Sequence, residues 1–164
     1  MPGDMIDPFD MAYRASGLSD RLLAQGAADA VAYAAELAFV REGEAREGVD
    51  AAIALAKRFA ESRPLDGDAS HLFELEAELK LARQLDAEGS DRGVGAGPPI
   101  VRHATSAAFW LCLLLAAFVE GHRHTVEHRL ERLLSFCGLA ASDAGERGGA
   151  VATFARSVNG GLRG

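Results

Sequence analysis

An uncharged run of sixteen residues, ATSAAFWLCLLLAAFV, extends from position 104 to position 119. It restricts the possible folds, because this many apolar side chains must be removed from water. A helix that spans a bilayer needs about twenty such residues, and this run is bounded by Arg102 and His103 before it and by Glu120 after it. We therefore expect residues 104–119 to form a buried central helix rather than a membrane segment, with a self-association face as the alternative.

The composition favours a helical domain around that centre. The chain has 164 residues, which is enough for one domain with its own core. Apolar residues make up 49% of it, and alanine is common whereas β-branched residues are few. These features predict an all-α, single-domain helical bundle over residues 1–164 with six to seven helices. The amphipathic segments 45–62 and 70–88 are expected to pack around residues 104–119.

Capping residues predict where the first helices begin. Asp7 followed by Pro8 is typical of an N-cap and a first helical position. Ser19 predicts a second N-cap, with Leu18 before it and Leu23 after it in the positions of a hydrophobic staple.

The segment 70–88 is unusual because it carries two apolar rows at helical spacing. The first row consists of Leu72, Leu75, Leu79 and Ala82, and the second of Phe73, Ala77, Leu81 and Leu85. A helix in a small bundle needs one apolar face for the core. The second row is therefore either covered by another helix of the chain or available to a partner, and we take it as the candidate partner-binding surface.

Two stretches are expected to lie outside the packed helices. Residues 89–97, GSDRGVGAG, are rich in glycine and predict a flexible loop, and residues 159–164 predict a loose C-terminal tail. The run GVGAG is not interpreted as a phosphate-binding loop, because it lacks the G-K-[ST] ending and no strand precedes it.

Charge and cysteine content restrict the class of partner. The formal net charge is −7, with 17 basic and 24 acidic residues, which disfavours nucleic acid and anionic membrane surfaces. Cys112 and Cys137 lie in apolar stretches and are expected to be reduced core residues. The N-terminal segment lacks the pattern of a signal peptide, which predicts a cytoplasmic protein. The negative net charge is compatible with a basic protein partner or with self-association.

The stretch VEGHRHTVEHRLERL, residues 119–133, contains the strongest chemical pattern. His124-Thr125-Val126-Glu127-His128 matches the H-x-x-E-H signature of one class of zinc peptidases. The match covers five residues, and the chain has no sign of the mixed sheet-and-helix domain of those enzymes. At about 100° per residue, His124 and His128 lie opposite the apolar stripe of a helix through this segment, so we expect both side chains to face water.

A metal site is the alternative interpretation of the same residues. His124 and His128 are four residues apart and could chelate zinc or nickel, and Glu120 could add an oxygen ligand. Two histidines at this spacing on a late helix resemble those of the DinB-like hydrolases, small four-helix metal proteins. The resemblance implies His71 as a third ligand.

The sequence contains no recognisable nucleophile and base pair, basic patch or cofactor loop. We therefore predict a non-enzymatic interaction protein, such as an adaptor, a regulatory subunit or a neutraliser of a basic protein, without catalytic residues or a cofactor. The alternative is a small metal-binding bundle or metal-dependent hydrolase that uses His124 and His128.

Overall fold

The structure is a computed structural model that describes residues 7–38, 44–61, 72–78, 80–81, 99–146 and 148–162. This part of the chain forms seven α-helices and no strand, which confirms the predicted all-α bundle. The helices are α1 (Pro8–Ala15), α2 (Asp20–Ala38), α3 (Glu44–Ala60), α4 (residues 72–78, with 80–81 also helical), α5 (Pro99–Glu120), α6 (Val126–Asp143) and α7 (Gly149–Leu162). A short 3₁₀ turn, Arg123–Thr125, precedes α6.

The first two helices begin at the predicted caps. The Asp7 side chain accepts a hydrogen bond from the backbone N–H of Phe9 at 3.3 Å, and Pro8 opens α1. The Ser19 hydroxyl accepts from the N–H of Leu22 at 3.2 Å at the start of α2. Both caps satisfy N–H groups that have no partner within the helix.

The predicted central helix lies within α5. Its side chains at Leu111, Leu114 and Phe118 are buried, whereas Trp110, within the run predicted to form the buried helix, is partly exposed beside α6. In the described residues, the segment Ile100–Glu120 is the one helix long and apolar enough to cross a membrane, and 67% of its apolar window is buried inside the bundle. One such helix is weak evidence for a membrane span, because a mostly buried core helix has the same length and composition.

Helix α2 shares the centre of the bundle with α5, because it contacts α3, α5, α6 and α7. Its buried face consists almost entirely of small side chains, which allow neighbouring backbones to approach closely. These are Ala24, Gly26, Ala27, Ala28, Ala30, Ala34 and Ala35, with Leu23 and Val31 among them. At Gly26 an added Cβ would lie 2.8 Å from Val158 Cγ1 and 3.0 Å from Phe154 Cδ2, so α7 packs closely against α2 here.

Helices α2 and α7 are also joined by polar contacts. The Asp29 carboxylate of α2 accepts a hydrogen bond from the Ser157 hydroxyl of α7 and from Gln25 Nε2 at 3.2 Å. The Tyr33 hydroxyl donates to Glu146 just before α7, and burial, followed by the Glu146 charge, raises the Tyr33 pKa. An added Cβ at Gly149 would overlap that hydroxyl, so this contact also needs a glycine.

The chain turns sharply between α5 and α6. Gly121 has φ of +75°, a conformation that L side chains rarely adopt, and the His122 N–H donates to Ala117 O at 2.8 Å to close the end of α5. The sequence alone is compatible with one long helix through Gly121 or with two helices that meet there. The structure shows two helices, α5 and α6, which make the most extensive contact in the bundle.

Two stretches were predicted to lie outside the packed helices, residues 89–97 and residues 159–164. Residues 89–97, the predicted flexible loop, lie outside the described residues. The predicted loose tail begins at 159, but α7 is helical through Leu162. Val151, Phe154 and Val158 anchor α7 in the core, and each residue added to a nucleated helix gains a hydrogen bond, which continues α7 past Val158 although Asn159 and Gly160 are poor helix formers.

Both cysteines are free and fully buried, in agreement with the predicted core role. Burial raises the pKa of the Cys112 thiol to about 12, with the nearby Glu76 carboxylate as a second cause. Burial alone raises the pKa of Cys137. Neither thiol carries appreciable thiolate near neutral pH.

Two glycine substitutions should have opposite effects, because Gly26 lies in the contact between α2 and α7 whereas Gly138 has free space around it. Gly26→Ala would push a methyl group into the rigid Val158 and Phe154 side chains, and overpacking costs about 1–3 kcal/mol. Gly138→Ala in α6 meets no atom within 4 Å and should stabilise the helix by up to about 1 kcal/mol. Urea unfolding of both variants measures the two changes. A stabilised Gly26→Ala would mean that α2 and α7 are further apart.

Thiol accessibility tests the burial of α5 and α6. Ellman's reagent at pH 8 should leave the folded protein essentially unreacted, because attack needs an exposed thiolate. In denaturant both Cys112 and Cys137 should react. Rapid reaction of either thiol in the folded protein would contradict their burial.

Candidate functional site

The structure places the histidine-rich stretch at the turn between α5 and α6. His124 lies in the 3₁₀ turn and His128 in the first turns of α6, and both side chains are exposed, as expected. His122 is also exposed, although a continuous helix would have put it near the apolar side. The reason is the break at Gly121: His122 comes after it and therefore does not continue the helical register of α5.

The arginines of this stretch make its hydrogen bonds to other helices, whereas among its histidines His128 contacts α5 through an edge contact with the Trp110 ring. Arg123 pairs with Asp20 and donates to the carbonyl oxygens of Ser16 at 2.7 Å and Leu18 at 2.6 Å. It thereby joins the turn before α6 to the connection between α1 and α2. Sequence reasoning missed this role, because nothing near Arg123 in the sequence indicates partners more than 100 residues away.

Two further arginines connect α6 to α5. Arg129 donates to the Leu113 carbonyl oxygen, and the Arg132 guanidinium lies over the Trp110 ring at 5.9 Å and over the Phe136 ring at 5.3 Å. A cation over an aromatic face is attracted by the ring quadrupole. In the sequence, Arg129 and Arg132 stand next to apolar residues of α6. That position could have indicated that they lie at the edge of the core.

Side chains of α1, of the 3₁₀ turn and of α6 line a concave surface between α1 and α6. This α1–α6 hollow has a volume of about 270 Å³, and its walls are Phe9, His124, Glu127, His128 and Glu131. Phe9 is 62% exposed. The hollow therefore combines one aromatic ring, two carboxylates and two imidazoles on an open surface.

The proposed metal ligands are not assembled in this structure. Glu120 contacts His122 Nδ1 at 3.2 Å, and Glu120, His124 and His128 do not form a common ligand group. Across the described part of the chain, no three His, Cys, Asp or Glu side chains lie close enough to hold a metal ion. His71, the implied third histidine, lies outside that part.

His103, the histidine of α5, has a clear partner. Its Nδ1 lies 2.7 Å from Asp143 Oδ2, which joins the start of α5 to the end of α6. No role was predicted for His103, and the pair adds a polar contact to the α5–α6 packing.

Helix α4 exposes the second apolar row and buries the first. Leu72 and Leu75 of the first row are buried against the bundle, whereas Phe73 and Leu81 are each 56% exposed and Ala77 is exposed. Leu79, Ala82 and Leu85 lie outside the described residues. We call Phe73, Ala77 and Leu81 the α4 row.

The charged side chains next to the α4 row are mostly acidic. Glu74 and Glu78 are exposed on one side of it, and Lys80 is exposed on the other. Glu76 is partly buried toward α5 and α6, and burial, as the largest cause, raises its pKa while Arg129 opposes the shift. The surface around the row is thus apolar in the middle and negative at its edge.

Neighbouring residues of the 3₁₀ turn should respond differently to alanine. Arg123→Ala removes charge-assisted hydrogen bonds to two carbonyls and should lower stability by about 1–2 kcal/mol, a moderate value because the side chain is half exposed. His124→Ala removes an exposed ring and should stay within about 0.5 kcal/mol. Chemical denaturation compares them, and equal losses would show that Arg123 is not the residue that holds the turn.

Comparison with known proteins gives no family to which the chain can be assigned: no family model, curated protein or solved structure matches it. The function of the chain must therefore be inferred from its own geometry. Its two candidate surfaces are the α4 row and the α1–α6 hollow.

Proposed function

We propose that this protein is a non-enzymatic helical interaction protein, such as an adaptor, a regulatory subunit or a neutraliser of a basic protein, and that it binds its partner through the α4 row. The observation that supports this most is the exposure of Phe73 and Leu81 on a helix whose other face is already buried. A cytoplasmic location is part of the proposal, since both cysteines are free and buried.

The α4 row has the form of a helix-docking surface. Phe73, Ala77 and Leu81 follow one another at intervals of four residues and lie on one side of the helix. The small central residue leaves room for a partner backbone between two large side chains. Full burial of a Phe or Leu side chain contributes about 1.5–3 kcal/mol, so two such anchors can support measurable binding.

The charges around the row favour a basic partner over a second copy. Glu74, Glu76 and Glu78 outnumber Lys80 on α4, and the whole chain carries −7. Two identical acidic surfaces repel one another, whereas an amphipathic helix with Lys or Arg beside its apolar face is attracted. We therefore propose a partner helix with Leu-like anchors and basic flanks.

A synthetic amphipathic helix of Leu and Lys serves as the probe for this surface. Leu81→Gln should weaken its binding, measured by fluorescence anisotropy, by roughly tenfold or more, because an apolar anchor is lost. Leu139→Gln is the matched control, since Leu139 is an exposed leucine on α6. It should leave the dissociation constant within about twofold.

Sedimentation of the unliganded protein provides the second measurement. Equal weakening by Leu81→Gln and Leu139→Gln would contradict specific docking at the α4 row. A wild-type dimer that becomes a monomer in Leu81→Gln would show that a second copy, not a basic protein, occupies the row.

A further inference from the structure

We propose that the α1–α6 hollow binds a monovalent organic cation, a guanidinium or primary ammonium group of the kind that Arg and Lys side chains carry. This site is separate from the α4 row, and the inference does not depend on the proposed function. It follows from three properties of the hollow: uncompensated negative charge, an exposed aromatic face and a rigid frame.

The negative charge of the hollow comes from Glu127 and Glu131. No cation of the described residues pairs with either carboxylate. Glu131 accepts one hydrogen bond, from the Ser135 hydroxyl at 3.0 Å, which leaves further acceptor positions on its carboxylate. The hollow thus offers acceptors to a ligand that donates several hydrogen bonds.

The arginines nearest in sequence are held elsewhere and do not neutralise these carboxylates. Arg123 is bound to Asp20 and to two carbonyls, Arg129 to Leu113 O, and Arg132 lies over aromatic rings. An external cation is therefore the charge that the site lacks.

Phe9 supplies the aromatic face. Its ring is 62% exposed at the wall of the hollow opposite α6, where a cation could lie against it. A guanidinium or ammonium over an aromatic face gains about 0.5–1 kcal/mol at an exposed site. The same ring would repel an anion, as would both glutamates.

The frame of the hollow is fixed by contacts outside it. Asp7 caps α1 beside Phe9, and Arg123 joins the far end of α1 to the turn that carries His124. The two walls therefore keep a constant separation, which lowers the cost of binding. At about 30 Å³ per water molecule, the volume of about 270 Å³ has room for a guanidinium and part of its stem.

The geometry favours an organic cation over a metal ion. The described residues contain no group of three metal-ligating side chains, which a tightly held transition metal needs. A planar guanidinium instead presents five N–H donors over a wider area and can use the carboxylates and an imidazole nitrogen without close convergence of ligands.

Backbone amide shifts in NMR spectra test the site with two singly charged probes, ethylguanidinium chloride and the peptide acetyl-Gly-Arg-Gly-amide. Both should shift the amides around Phe9 and residues 124–131. Phe9→Leu, which keeps an apolar side chain but removes the ring, should weaken binding by about two- to fivefold. Glu127→Gln should also weaken it, whereas Glu36→Gln on the exposed face of α2 should not.

The peptide with citrulline in place of arginine is the decisive control, because it has the same shape without the charge. Shifts of equal size with citrulline, or no shift with either cation, would overturn the proposal. So would stoichiometric binding of zinc chloride alone with no response to ethylguanidinium. Tighter binding of the arginine peptide than of ethylguanidinium identifies a protein side chain as the source of the cation, and equal or weaker binding of the peptide identifies a free small-molecule cation. Thermal melting of each variant verifies that it is folded.

Discussion

The close approach of α2 to its neighbours is the constraint on which the bundle depends. Helix α2 contacts four other helices, and this is possible because its buried face is made of alanines and Gly26. Small residues contribute little apolar area each, but they allow the larger side chains of the neighbours, such as Phe154 and Val158, to pack against the α2 backbone. The core thus depends on backbone proximity at α2 and on large side chains elsewhere.

The second half of the core is the pair α5 and α6, and its polar contacts explain the histidine-rich stretch. Arg129 of α6 donates to a carbonyl oxygen of α5, and Arg132 lies over the Trp110 ring of α5 and the Phe136 ring of α6. His103 binds Asp143 at the other end of the pair. With these arginines held by other partners, Glu127 and Glu131 have no cation partner among the described residues. The charge of the α1–α6 hollow is therefore a consequence of how α6 is fixed to α5.

The two candidate surfaces differ in physical character. The α4 row presents exposed apolar side chains with acidic neighbours, and its binding energy would come from removing apolar area from water. The hollow presents carboxylates and one aromatic ring, and its binding energy would be electrostatic. The ligands that we propose for both surfaces are positively charged, in line with the net charge of −7.

The sequence by itself determined the elements of this fold, because helix periodicity and capping are local properties. Asp7 and Ser19 begin helices as predicted, Leu111 and Leu114 are buried, and Phe73 and Leu81 were recognised as a spare apolar row. Tertiary structure decided the rest. The break at Gly121, the long-range contacts of Arg123 and the joining of Phe9 to Glu127 in one hollow depend on which helices become neighbours, and residues about 100 positions apart carry no local pattern that records it.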